Sequence, residues 1–139
     1  MRARPNLLAV LVAAIAHFAL GAAWFTLFAN LWIAGVRMSP AEVAAARLHP
    51  SPLPYVLSLV CSVVIAYDIA WVLTRLDERN VRRGIGVGAV IGLVAAAAML
   101  TELAFEQRTS SFCWIAAGYP LVGSIVMGIV IGAWPERRT

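Results

Sequence analysis

The sequence predicts an all-α fold: an integral membrane four-helix bundle with a short interfacial helix between helices one and two. Three observations lead there. Of 139 residues, 62% are hydrophobic and only 13% charged, whereas soluble domains stand near half apolar and a quarter charged. The chain also divides into four apolar runs, each long enough for the roughly 20 residues that cross a hydrocarbon core. All eleven basic residues are arginine, and they gather at the ends of those runs. The formal charge of +4 is therefore read as a topology and headgroup signal, and no nucleic acid partner is expected. The whole chain, 1–139, makes a single transmembrane domain whose first partner is the lipid bilayer.

Helix one is expected over about 6–34, because no Asp, Glu, Lys or Arg occurs from Pro5 to Val36. Its start, Met1-Arg2-Ala3-Arg4, imitates a secretory signal peptide. The apolar run continues through Trp24, Phe25, Leu27, Phe28 and Trp32, past any ordinary cleavage site, so an uncleaved span is the preferred reading. Ser39-Pro40-Ala41-Glu42 has the form of a helix start: a Ser N-cap, Pro at the first helical position, and Glu three residues after the cap. That helix should be short, about 40–48, ending before Pro50 and lying at the membrane surface. Helix two is placed at about 52–74, interrupted only by Asp68, and is followed by the charged segment Arg75 to Arg83. Helix three is placed at about 84–106 and helix four at about 112–134, with Pro120 expected to bend the latter.

Four spans put Arg2, Arg4, Arg75, Arg79, Arg82, Arg83, Arg137 and Arg138 on one side and Arg37, Arg47 and Arg108 on the other. This positive-inside bias predicts that both termini are cytoplasmic. Trp32, Tyr55, Trp114 and Tyr119 then fall toward the outer ends of their spans, and Trp71 and Trp134 toward the inner ends, as an interfacial aromatic belt would have them.

Helices in lipid associate where small residues let backbones approach. Gly84, Gly88, Gly92 and Ala96 recur every four residues in helix three, and Ser124, Gly128 and Gly132 in helix four. Ala9, Ala13, His17 and Gly21 do so in helix one. These stripes suit packing within one chain or between copies, so a homo-oligomer is a possible partner.

Ionisable groups inside a span are expensive, by roughly 2.5 to 3.5 kcal/mol on insertion scales, which singles out His17, Asp68 and Glu102. The estimated depths of His17 and Asp68 let them meet, either as a clasp between two helices or as a pair that relays protons or binds a polar solute. Glu102 and Glu106 stand one turn apart near the outer surface with Gln107 beside them, either as a solvated helix end or as a shared-proton or cation site. His49 lies on the same side, but the spacing gives no ligand set and no metal is expected. Ser58, Ser62, Thr26 and Thr101 can bond back to their own helix carbonyls and need no further role. Cys61 and Cys113 have no CxxC spacing and read as small apolar residues. No HExxH, GxSxG, Walker or dinucleotide signature occurs; no catalytic residue, cofactor or enzymatic activity is expected.

The stretch Gly21-Ala22-Ala23-Trp24-Phe25-Thr26-Leu27-Phe28, followed by Trp32 and Gly35, resembles the family known as domain of unknown function 1761. Its members have a Gly-x-x-Trp-aromatic motif late in helix one, then a Phe and a Trp, then a short polar segment. Gly118-Tyr119 through Met127-Gly128 to Trp134 is similar to the family's last helix. Phe25 stands where Tyr is usual. The resemblance implies a small bacterial four-helix membrane protein and transfers no activity. Gly21 and Trp24, one turn apart, would set a bulky ring beside a place where another backbone comes close, as a packing device or a binding site.

Two functional readings result. The first is a non-enzymatic protein of the bacterial cytoplasmic membrane, a self-associating or accessory subunit working through its glycine faces. The second is a small oligomeric transporter or channel for an ion or small polar solute that uses His17 and Asp68.

Overall fold

The structure, a computed structural model, describes residues 4–76 and 79–135; Arg2, Arg137 and Arg138 of the arginine count lie outside the described residues. Among the described residues six helices follow one another: α1 (Leu7–Leu27), α2 (Ala29–Gly35), α3 (Pro40–Leu48), α4 (Leu53–Leu73), α5 (Val81–Phe105) and α6 (Ser110–Ala133). No strand occurs among the described residues. Four of the helices, α1, α4, α5 and α6, are long and apolar enough to cross a membrane. At 1.5 Å per residue their 21 to 25 residues span about 31–38 Å, the thickness of a hydrocarbon core or slightly more.

Each start has a local cause. Asn6 caps α1, its side-chain oxygen accepting from the backbone N–H of Leu8 and Ala9. Ser39 and Glu42 close a reciprocal capping box at α3: Ser39 Oγ accepts from the Glu42 N–H, and the Glu42 carboxylate accepts from the Ser39 N–H at 2.7 Å. Asn80 caps α5 by accepting from the Arg83 N–H at 2.9 Å. This cap corrects the expected start of helix three at 84, since Val81, Arg82 and Arg83 are already helical. The far end of α5 closes with Gln107 at φ 52°, the Arg108 N–H donating to the Leu103 carbonyl and the Gln107 N–H to that of Ala104. That is a Schellman arrangement, with glutamine where glycine is usual.

The single helix expected over 6–34 is also corrected. The chain leaves helical geometry at Phe28, with φ −98° and ψ 14°, and resumes as α2. No glycine or proline stands at the break. Instead, the rings on either side are drawn onto α6: Phe25 meets Tyr119 edge-on at 5.3 Å, and Trp32 stacks on Phe112 at 6.0 Å. Gly35 then lies so close to the Phe112 ring that a Cβ would collide with it.

α5 and α6 make the most extensive contact. Their small-residue stripes face each other, with Gly84 against the Gly128 carbonyl, Gly88 against that of Ser124, Gly92 against the Leu121 backbone, and Gly132 against the Asn80 carbonyl. The backbones touch, and the stripes are closed within one chain. α1 packs on α4 and α6 through Ala9, Val10, Ala13, Ala14, His17 and Gly21. The core of Val10, Ala14, Ala66, Ile69, Leu73, Met127 and Ile131 sits at the near end of the molecule, where α1 begins and α4 and α6 finish. At the far end α4 is bare, for every residue from Ser51 to Cys61 is exposed. Among the described residues α3 is not closely packed on any other helix.

Arginines tie down both ends. At the near end Arg79 donates to the Ile131 carbonyl from Nε and Nη2, at 3.1 and 2.6 Å. At the far end Arg37 donates to the carbonyls of Glu106 and Gln107, and Arg108 donates to that of Gly35. Basic groups on terminal carbonyls satisfy acceptors that a helix end leaves open.

Candidate functional site

His17 is the most deeply enclosed ionisable side chain among the described residues, 5% exposed. It projects from the middle of α1 into the junction of α4 and α6. On the α4 side its Nδ1 stands 2.7 Å from Ser62 Oγ. Ser62 donates its own hydroxyl hydrogen to the Ser58 carbonyl at 2.7 Å, so Oγ is left to accept from Nδ1–H. That assignment follows from the network. On the α6 side the Tyr119 ring stacks on the imidazole, centroids 4.7 Å apart and planes 29° apart. Tyr119 Oη lies 3.2 Å from both Nδ1 and the His17 carbonyl, to which it donates.

The other ring nitrogen, Nε2, is buried and has no hydrogen-bond partner among the described residues. It faces Gly123 of α6, where a Cβ would stand 2.5 Å away. A glycine hydrogen therefore occupies the place in front of the nitrogen lone pair. The surroundings serve one ring N–H and not two, which matches the hydrogen bonding of a neutral imidazole. Three helices meet on this one side chain.

One turn along α1, Gly21 and Trp24 extend the junction. A Cβ at Gly21 would lie 2.7 Å from Tyr119 Oη, so the ring that fills the space beside this glycine comes from α6. Trp24 Nε1 donates to the Ile115 carbonyl at 3.0 Å, and its ring covers Gly118. The last residues before Pro120, where the α6 ladder lacks one donor, are thus braced from α1. Tyr119, expected in an aromatic belt, belongs instead to the His17 junction because α1 offers a glycine-sized gap for its hydroxyl. Trp114, Tyr55 and Trp71 are exposed.

Asp68 does not join His17. It is exposed and makes no hydrogen bond or ion pair among the described residues. The reason is its place on α4: it stands six positions past Ser62, which sets it about 9 Å further along the helix and about 120° around it. Glu102 is exposed, while Glu106 accepts from Arg108 Nε at 2.8 Å, so the two carboxyl groups do not share a site. Among the described residues no three His, Cys, Asp or Glu side chains could hold a metal ion, and Cys61 and Cys113 are free. Thr26 and Thr101 donate to their own helix at Ala22 and Ala97.

The sequence reading missed Ser62 and Tyr119 as partners of His17. Ser62 carried a usable signal, since it shares a buried face with Ala66, Ile69 and Leu73 at helical spacing. Tyr119 carried a weaker one, its place between Gly118 and Pro120. The motifs that carry the family resemblance are the ones in contact, Gly21 and Trp24 against Gly118 and Tyr119. The family described as protein of unknown function (DUF1761) matches residues 8–132, which takes in all of that junction. No curated protein and no solved structure matches the chain.

Proposed function

The chain belongs to this family of unknown function, and we propose that it is a non-enzymatic four-helix bundle of the bacterial cytoplasmic membrane, a self-associating or accessory subunit. Both termini face the cytoplasm and α3 lies at the outer interface. Orientation rests on the arginines: Arg4, Arg75, Arg79, Arg82 and Arg83 cluster at the near end, and Arg37, Arg47 and Arg108 at the far end.

The observation that carries the reading is the closed state of His17. Its ring is bonded on one nitrogen, stacked on one face and shut off by a glycine at the other nitrogen. A group enclosed in this way pins α1, α4 and α6 together, with interhelical bonds worth about 0.6–1.7 kcal/mol each in lipid. With Asp68 turned away, the two groups that a polar path would use do not face each other.

Contact with a further subunit needs a face other than the glycines, which are taken up between α5 and α6. The bare half of α4, from Leu53 to Cys61, is the candidate. The test is the mass of the purified chain in nanodiscs together with oxidative cross-linking through native Cys61, which is exposed on that half. Multiples of 14.9 kDa linked through Cys61 support self-association. An ion flux in vesicles that His17→Ala abolishes would overturn the proposal in favour of an oligomeric transporter, and a monomer without flux would overturn self-association.

A further inference from the structure

Between the end of α2 and α3 lies an open groove of about 730 Å³ that none of the foregoing contacts uses. Ile33 and Val36 form one wall, Val43, Ala44 and Leu48 the other, and Arg47 stands in the lining. No residue of α3 is buried, so the apolar side chains that line this groove are not part of the core. Its helical form is nevertheless set by its own capping box.

Charge identifies the occupant. Of the three far-end arginines, Arg37 is engaged by the carbonyls of Glu106 and Gln107, and Arg108 by Glu106 and Gly35. Arg47 makes no hydrogen bond or ion pair among the described residues. The acid of its own helix, Glu42, is held by Ser39. An apolar trough beside a free guanidinium, at the end of spans that cross a bilayer, matches an amphiphile with an anionic head. A planar guanidinium fits phosphate in particular, through paired N–H donors.

We propose that this groove binds an anionic phospholipid, its acyl chain along the α2 and α3 walls and its phosphate on Arg47. The proposal rests on the membrane reading given above. It is tested in nanodiscs of phosphatidylglycerol and of phosphatidylcholine, with amide hydrogen exchange of residues 40–48 as a local readout. Exchange there is expected to slow about five-fold in phosphatidylglycerol, the effect of one arginine at an anionic surface. Arg47→Gln should erase the difference, Arg47→Lys should keep part of it, and Arg82→Gln at the opposite end should leave it intact. Equal exchange in the two lipids, or a difference that survives Arg47→Gln, would overturn the proposal. A chain that entered neither nanodisc would instead remove the membrane reading, and this site with it.

Discussion

At the scale of single residues, the molecule turns on how His17 is enclosed. The ring has Tyr119 on one face, Ser62 at Nδ1 and Gly123 at Nε2. Gly123→Ala places a methyl group against Cδ2 and Nε2, and overpacking of that kind costs about 1–3 kcal/mol. Thermal unfolding in detergent should show a lower midpoint for Gly123→Ala. If His17→Ala is already present, the same substitution should do little or should stabilise, because the new methyl then fills the vacated space. A second cycle separates the partners of the ring. His17→Ala and Ser62→Ala should be coupled by at least about 0.5 kcal/mol, whereas His17→Ala and Asp68→Asn should add within about 0.5 kcal/mol. Coupling between His17 and Asp68 would contradict this geometry.

At the scale of elements, the α5–α6 contact and the α3 cap lead to different kinds of prediction. Gly84 and Gly88 meet carbonyl oxygens of α6, while Gly86, half a turn away, has nothing within 4 Å of a Cβ. Gly84→Ala should therefore force two backbones apart, at about 1–3 kcal/mol. Gly86→Ala should be neutral or stabilising by up to about 1 kcal/mol from helix propensity. Equal effects in unfolding would rule out the close approach. In α3, the hydroxyl and N–H of Ser39 hold the Glu42 carboxyl below its ordinary range. A folded-state pKa below the unfolded one gives stability that is complete above the unfolded value and is lost as the pH falls through the folded value. The protection of residues 40–48 against amide exchange, taken relative to the intrinsic exchange rate at each pH, should accordingly fall on acidification through the carboxylate range. Glu42→Gln, which keeps a capping side chain, should leave that protection unchanged over the same pH range. The cap was legible in the sequence because both halves of it lie within four residues. The break at Phe28 was not, because its cause is the seating of Phe25 and Trp32 on rings of α6 that lie 94 and 80 residues later. For the same reason the glycine stripes could be read as close-packing faces, but not as faces for each other.

At the scale of the whole molecule, the sequence made the number of long apolar helices plain and left their facing open. His17 stood out as an ionisable group in an apolar run, yet its partners depend on the relative rotation of α1, α4 and α6. Depth along a span can be counted from residues. Azimuth is fixed only when helices pack, and the level at which two helices meet is fixed with it: Ser62 meets His17, which leaves Asp68 about 9 Å further along α4 and about 120° around it. Orientation in the bilayer is the property of the whole chain that the arginine asymmetry addresses. The near end carries the α4–α5 connection and the far end carries α3, so the two ends can be probed one position at a time. In a chain with Cys61→Ser and Cys113→Ser, a membrane-impermeant maleimide applied to intact cells should label His49→Cys, whose site is exposed beside α3. Arg75→Cys, exposed just past the end of α4, should react only after the membrane is opened. The reverse pattern would place the termini outside. The charge asymmetry would then have failed to set the topology, and the groove bearing Arg47 would face the cytoplasmic leaflet instead.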